Sequence, residues 1–329
     1  MLDRRTLILL CIAMRQKENE SQTVHINPLQ YETFLRYSEY QFQSIFRFSK
    51  IQFYKFLDIL YNLSENSRNM ERNLLIVCYR MGHGVGYRAV GAYFCISHNC
   101  ARLGFIKIIK LICANTNLFI KYPSREQFGS ITEDFARKSP RQDVVGAMDG
   151  TFVKIKRPAS PFANHWYCCK QFFAIHMLAL CDWRMIFTFV DVGSPGNTHD
   201  STAFLQSSLY DYILSNVFPL NQGELKYKIL TDSAFRQQSF LIKTNATSHH
   251  RNRIARMNNV DGYKNLKTNE SGRTCIESIF GIFVNCWRIK LKEETNLAKY
   301  VVIAGVCMHN FLQLESYGEY NNTEYSTTE

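Results

Sequence analysis

No Cys-x-x-Cys pair and no zinc-finger spacing occurs among the eleven cysteines, an odd number. This composition argues against a disulfide framework or a zinc module. Cys78, Cys113, Cys181 and Cys307 lie in apolar runs, where a reduced thiol packs as a small hydrophobe, so a reducing compartment, nucleus or cytoplasm, is expected. No small-residue cleavage site follows the apolar stretch from Thr6 to Met14; Arg15-Gln16-Lys17-Glu18 comes directly after it. That stretch is also too short to cross a bilayer, which excludes it as a membrane anchor and leaves it as the opening of a buried helix. No internal repeat is visible. Acidic residues are in short supply, 28 against 39 Lys and Arg, giving a net charge of +11. A polyanionic partner is expected, nucleic acid being the commonest. With 46% hydrophobic residues the chain has ample material for a core and is not a disordered protein.

The composition changes along the chain. Residues 1–125 read as helical: Phe34, Tyr37, Phe42, Phe46, Ile51, Phe53, Phe56, Leu57 and Leu60 recur at roughly helical spacing as core faces. Within 73–113, an apolar helix ends near Gly82-His83-Gly84 and a short amphipathic stretch Tyr87–Phe94 follows. Ser97 is placed to cap a further helix. Helix, short turn, helix with polar residues opening the second is the layout of a helix-turn-helix, and generic helical hairpins share it. If it reads DNA, His98, Asn99 and Arg102 face the groove.

Residues 126–316 are expected to form a second domain, with 317–329 a polar mobile tail. Strands are predicted over Val144–Ile155, Phe172–Cys181, Met185–Val192 and Tyr227–Leu230, the middle two joined by a tight turn at Asp182-Trp183-Arg184. A helix is predicted from about Thr198 to Leu214 and another from about Ser271 to Lys290. Three antiparallel strands, a helix, a further strand and later helices make an α/β fold: a ribonuclease-H-like mixed sheet with flanking helices, preceded by the all-α region.

Asp149 stands out because an apolar run leads up to it and a β-branched run continues past it. An unpaired carboxylate out of water costs several kcal/mol, so it is paired, at a rim, or a metal ligand. The rival reading is a turn Asp before Gly150 in a hairpin. Asp232 closes the fourth strand, and Glu277 borders the apolar face Ile276, Ile279, Phe280, Phe283, Trp287 of the late helix. If the first and fourth strands are neighbours, Asp149 and Asp232 meet on one edge and the helix can add Glu277. Asp200 opens the helix after the third strand, as a cap or as a fourth acid. Phosphodiester cleavage needs such hard oxygen ligands for Mg²⁺ or Mn²⁺, because two ions about 3.5–4 Å apart can activate the attacking oxygen and stabilise the leaving one. Arg273 is placed either for an i, i+4 salt bridge with Glu277 or for a phosphate contact. Between Asp232 and Glu277 lie Lys243, Arg251, Arg253, Arg256, Lys264 and Lys267, a solvated loop or a phosphate-holding one.

Five stretches occur in order: Gly146-Ala147-Met148-Asp149-Gly150-Thr151, Pro195-Gly196-Asn197-Thr198-His199-Asp200-Ser201, Leu230-Thr231-Asp232-Ser233-Ala234-Phe235, Arg273 to Gly281, and Met308-His309-Asn310-Phe311-Leu312. From roughly residue 70 to 313 the chain resembles the PIF/Harbinger transposases and their domesticated nuclease derivatives. The resemblance implies a ribonuclease-H-like DDE endonuclease cutting DNA with Mg²⁺ or Mn²⁺. Asp149, Asp232 and Glu277 would be its catalytic acids, with Asp200 joining them at the metal. It further implies an upstream helix-turn-helix, a Myb/SANT-like DNA-binding partner, homo-oligomers and nuclear localisation; from the short apolar stretch at Thr6 to Met14, no membrane partner is expected. The chain departs from the family pattern at Cys95 (usually Gly), at Cys168-Cys169, at Thr231 and at Val284, weakening expected DNA contacts while sparing all four acids. The competing readings are a domesticated DNA-binding or scaffold protein with unused nuclease activity, and a nuclease acting on RNA.

Overall fold

The computed structural model describes residues 33–34, 36–64, 68–137, 141–217, 220–221, 224–225, 227–243, 260–288 and 293–318. Its contacts divide the chain into two compact units, Met1–Ala114 and Asn115–Glu329. The stretch Thr6 to Met14, the cations Arg251, Arg253 and Arg256, and most of the polar tail lie outside the described residues.

The described part of the first unit is helical: α1 (Glu39–Phe46), α2 (Lys50–Asn62), α3 (Met70–His83), α4 (Tyr87–Tyr93) and α5 (His98–Ala114). Ser38 with Gln41 and Ser49 with Gln52 form reciprocal caps that satisfy free N–H groups at the starts of α1 and α2. The aromatic spacing resolves as expected into a core of Phe34, Phe42, Phe46, Phe53, Phe56, Leu57 and Leu60, while Tyr37 and Ile51 are only half-buried. Arg80 of α3 is buried with its guanidinium 4.0 Å from the Tyr87 ring centroid and 4.5 Å from that of Phe105, tying three helices together. Ser97 caps α5 by accepting the Cys100 N–H at 3.1 Å. His98, Asn99 and Arg102 stand exposed on the first turns of that helix.

Cys95, in the turn between α4 and α5, has φ of +50°, a left-handed conformation that costs a side-chain-bearing residue roughly 1–2 kcal/mol. Cys95→Gly relieves that strain but frees the unfolded chain, so a net gain of about 0.5–1 kcal/mol is expected. Urea unfolding of the two proteins checks it; a lower midpoint in the Gly variant would refute the strain.

In the second unit, 3-10 turns at Thr116–Leu118 and Arg125–Gln127 lead into α6 (Phe128–Ala136), a helix that the sequence reading did not assign. Then come β1 (Val144–Lys154), β2 (Ala174–Cys181), β3 (Phe187–Pro195), α7 (Asp200–Leu205), α8 (Ser208–Tyr212), the two-residue pair β4 (Leu220–Asn221) and β5 (Glu224–Leu225), β6 (Lys228–Thr231), β7 (Leu241–Lys243), α9 (Val260–Trp287) and α10 (Thr295–Ser316). The five-stranded sheet has the order β3-β2-β1-β6-β7, antiparallel on the β3-β2-β1 side and parallel from β1 through β6 to β7. This mixed sheet with flanking helices is compatible with a ribonuclease-H-like DDE fold. The β2–β3 turn is held by buried Asp182, which accepts the Ile186 N–H at 3.0 Å and pairs with Arg184 at 2.9 Å. The single long helix expected after β3 is instead broken into α7, α8 and a π-helical turn, Ile213–Val217.

Met148, Leu178, Leu180 and Phe189 of the sheet pack with Phe128, Phe204 and Leu209 from α6, α7 and α8. α9 lies against β1 and α10 against β3. Ile276, Ile279, Phe283 and Trp287 of α9 are fully buried, roughly 1.5–3 kcal/mol each, which fixes where that helix presents the largely covered Arg273 and the half-exposed Glu277. α10 is long and apolar enough to cross a bilayer, but here its apolar face is covered by β3 and α9. Its Asn310 is wholly buried: the amide donates to Phe119 O at 2.9 Å and Phe187 O at 2.7 Å and accepts from Phe187 N at 2.9 Å. The His-Asn pair near the end of the chain therefore clamps the start of β3.

Candidate metal centre

Asp149 sits in mid-strand, not in a turn: it pairs in register with Ala179 of β2, and Gly150 with Leu178. β1 reaches β6 directly, so the parallel pairing brings the end of β6, followed by Asp232, beside Asp149. Asp200 arrives on the first residue of α7. It makes no cap with its side chain; its Oδ1 lies 2.6 Å from Nε2 of His176, itself 1% exposed on β2. The ligand oxygens of Asp149, Asp200 and Asp232 all fall within 4.8 Å of one another. Gly150 makes this approach possible. A Cβ there would collide with the Asp200 carboxylate and come within 2.7 Å of His176 Nε2.

The fourth acid stands apart from the other three. Glu277 is about half exposed and pairs with Arg273 one turn earlier, and Arg273 in turn reaches Asp149 Oδ2 at 3.5 Å. The guanidinium thus bridges Glu277 and Asp149, which makes the salt bridge the observed state of Arg273. Lys243, read from the sequence as part of a basic loop, is the last residue of edge strand β7. The short β7 was not foreseen. His176 was missed as well, although it carries the signal that exposed Asp149: one polar residue in an otherwise buried strand.

The electrostatics of the group follow from its burial. Asp149 is pushed up from 3.8 to about 6, chiefly by desolvation and further by Asp232 and Asp200, against the opposing Gly150 N–H and Arg273. Two carboxylates at such separations repel by roughly 3 kcal/mol at an effective dielectric of about 20, less where solvent screens them. Arg273, itself shared with Glu277, is the one permanent cation near the group among the described residues; the Gly150 and Ala234 N–H groups and the His176 ring add hydrogen bonds to its carboxylates. Hard oxygen donors, clustered and under-neutralised, fit a divalent cation such as Mg²⁺ or Mn²⁺ and fit no soft-metal site.

Residues 148–310 match the family model described as DDE superfamily endonuclease, and that stretch contains Asp149, Asp200, Asp232 and Glu277. Comparisons with curated proteins and with solved structures return no match.

Proposed function

From the likeness of residues 148–310 to DDE superfamily endonucleases, we propose that the protein is a metal-dependent DNA endonuclease of PIF/Harbinger descent. The observation that carries the reading is the convergence of Asp149, Asp200 and Asp232 from three separate elements. In this reading these acids, with Glu277 from α9, hold Mg²⁺ or Mn²⁺. A bound divalent cation supplies activation of the attacking water and charge neutralisation at the scissile phosphate, and two such ions suit in-line displacement. His176 holds the Asp200 carboxylate in place through its ring nitrogen. Arg273, already at the rim, exchanges its carboxylate partner for a phosphate oxygen of the substrate. The hydroxyl freed by hydrolysis can act as the nucleophile of strand transfer. Lys243, Arg251 and Arg253 hold the phosphate backbone. In the first unit, α4 and α5 act as a helix-turn-helix with His98, Asn99 and Arg102 toward the bases. A Myb/SANT-like partner, homo-oligomers and work in the nucleus complete the proposal.

One observation favours the rival reading of a DNA-binding scaffold: Glu277 is engaged with Arg273 and stands outside the carboxylate group. Incubating a supercoiled plasmid with Mg²⁺ or Mn²⁺ separates the two. Nicking by the wild type that disappears in Asp149→Ala, Asp232→Ala and Glu277→Ala supports the nuclease. Equal cleavage by the triple variant, or salt-dependent binding without cleavage in either metal, refutes it. Running RNA alongside DNA tests the substrate class.

A further inference from the structure

The link between β1 and β2, residues 155–173, is long for two neighbouring antiparallel strands, and its composition is one-sided. No Asp or Glu occurs between Asp149 and Asp182, while Lys154, Lys156, Arg157 and Lys170 all do. Its aromatic content is equally unusual for a surface segment: Phe162 is 66% exposed and Tyr167 46% exposed. The two rings stand five residues apart on one basic arm, Phe162 beside His165 at 5.9 Å between ring centroids.

The arm is also firmly placed. Lys154 Nζ lies 5.3 Å from the Phe172 ring centroid, the Arg157 guanidinium 5.8 Å from that of Phe173, and Lys170 Nζ 5.6 Å from that of Phe152. Tyr167 bridges back to Phe173, whose ring meets it edge-on at 5.2 Å, so a face of Tyr167 is held in a fixed direction. The helical turn Ala163–Trp166 abuts the loop that leads into Asp200. Asn197 N donates to His165 O at 3.0 Å, and a Cβ on Gly196 would sit 2.6 Å from Trp166 O. A second line of contact runs from Lys170 over Phe152 to His176, 5.5 Å from it ring to ring, and so to Asp200. The arm therefore borders the carboxylate group on the same unit.

Cations interleaved with exposed, oriented rings match an unpaired nucleic-acid strand. Phosphates meet the cations, and bases offer the π-faces that a duplex keeps stacked inside. We propose that residues 155–173 form a clamp for unpaired nucleotides flanking the cleavage point. Phe162 and Tyr167 stack on bases, while Lys156 and Arg157 neutralise the backbone. The proposal rests on the nuclease reading for the site it serves, but it predicts binding that requires no cleavage.

The test uses the full chain without divalent metal and two fluorescent oligonucleotide probes, a blunt duplex and the same duplex with a short single-stranded overhang. Wild type should bind the overhang probe more tightly by anisotropy. Phe162→Ala and Tyr167→Ala should each weaken overhang binding by about tenfold and leave blunt binding unchanged. Phe162→Trp should keep the preference, which shows that a ring and not a particular fold of the arm is required. Lys156→Gln with Arg157→Gln should weaken both probes and flatten the salt dependence. No preference for the overhang, or equal losses on both probes in the aromatic variants, overturns the clamp. Cleavage with no overhang preference would sink the clamp alone; overhang binding through these rings with no cleavage in any metal would sink the nuclease alone.

Discussion

Asp149→Asn is expected to make the metal-free protein more stable at neutral pH while removing its response to divalent metal. The carboxyl titrates at about 6 in the folded state against 3.8 for an ordinary Asp. A raised carboxyl pKa means that the folded state holds the proton more tightly than the unfolded one. Stability from this group is therefore greatest in acid and declines as pH rises from about 4 to about 6. Above that window the full penalty applies, of order 3 kcal/mol at 1.36 kcal/mol per pKa unit, with the side chain only 17% exposed. Asn has a similar shape and no charge to desolvate, so the variant should gain about 2–3 kcal/mol at neutral pH and almost nothing at pH 4. Metal reverses the ranking. On the proposed reading, saturating Mg²⁺ at about 100 times its dissociation constant should stabilise the wild type by roughly 2.7 kcal/mol, and the effect should strengthen as pH rises through about 6, because the proton must leave first. The variant should show no such shift, and cleavage should fall by about a thousandfold or more, since the Lewis-acid contribution is worth several kcal/mol. Thermal melts with and without MgCl₂ across this pH range check the stability claims. Equal metal-free stabilities, or a metal shift retained in Asp149→Asn, would remove Asp149 from the centre.

The same residue shows how far a sequence can carry such a site. Asp149 was legible because a charge inside an apolar run is anomalous on physical grounds alone, and because strand residues resume beyond Gly150. Its meeting with Asp232 required β1 to neighbour β6, a fact of sheet order that becomes plain only when the parallel pairing is seen. Asp200 was ambiguous for a good reason. The first residue of a helix is where a carboxylate is stabilised by the helix itself, so local chemistry offers a sufficient explanation. Only the contact with His176 and the space left by Gly150 show that it faces elsewhere. Short or polar elements were lost for a different reason: the three residues of β7 and the polar first turns of α9 carry too little periodicity to register. Cys95 runs the other way. A departure from the resemblance, noted from the sequence as a missing Gly, corresponds to a left-handed residue in the structure.

His309→Gln is expected to make the protein more stable as pH falls from 6.5 toward 4. His309, on α10, is 3% exposed against Phe187 of β3, with Nε2 3.0 Å from Met185 O. Burial lowers its pKa from 6.5 to about 4, with the Met185 carbonyl opposing. Here the unfolded state takes up the proton first, so the contribution is fully present above 6.5 and is lost as pH falls toward 4. At 1.36 kcal/mol per unit this amounts to about 3 kcal/mol. Glutamine retains an N–H for Met185 and does not titrate. The acid-driven loss that His309 contributes between pH 6.5 and 4 should therefore be absent from the variant. The opposite slope contributed by Asp149 spans nearly the same window, and Asp182, raised by its own burial despite Arg184, adds to it. Wild type should thus look deceptively flat in mild acid, Asp149→Asn should become more acid-sensitive, and His309→Gln should be stabilised by acid. Melting curves of the three proteins over this range distinguish cancellation from indifference: three superimposable profiles would mean that neither group is coupled to folding as its burial requires. If the slopes separate with opposite signs, the carboxylate centre and the α10 clamp are each paid for in a different direction of pH, and the flat wild-type profile is their difference.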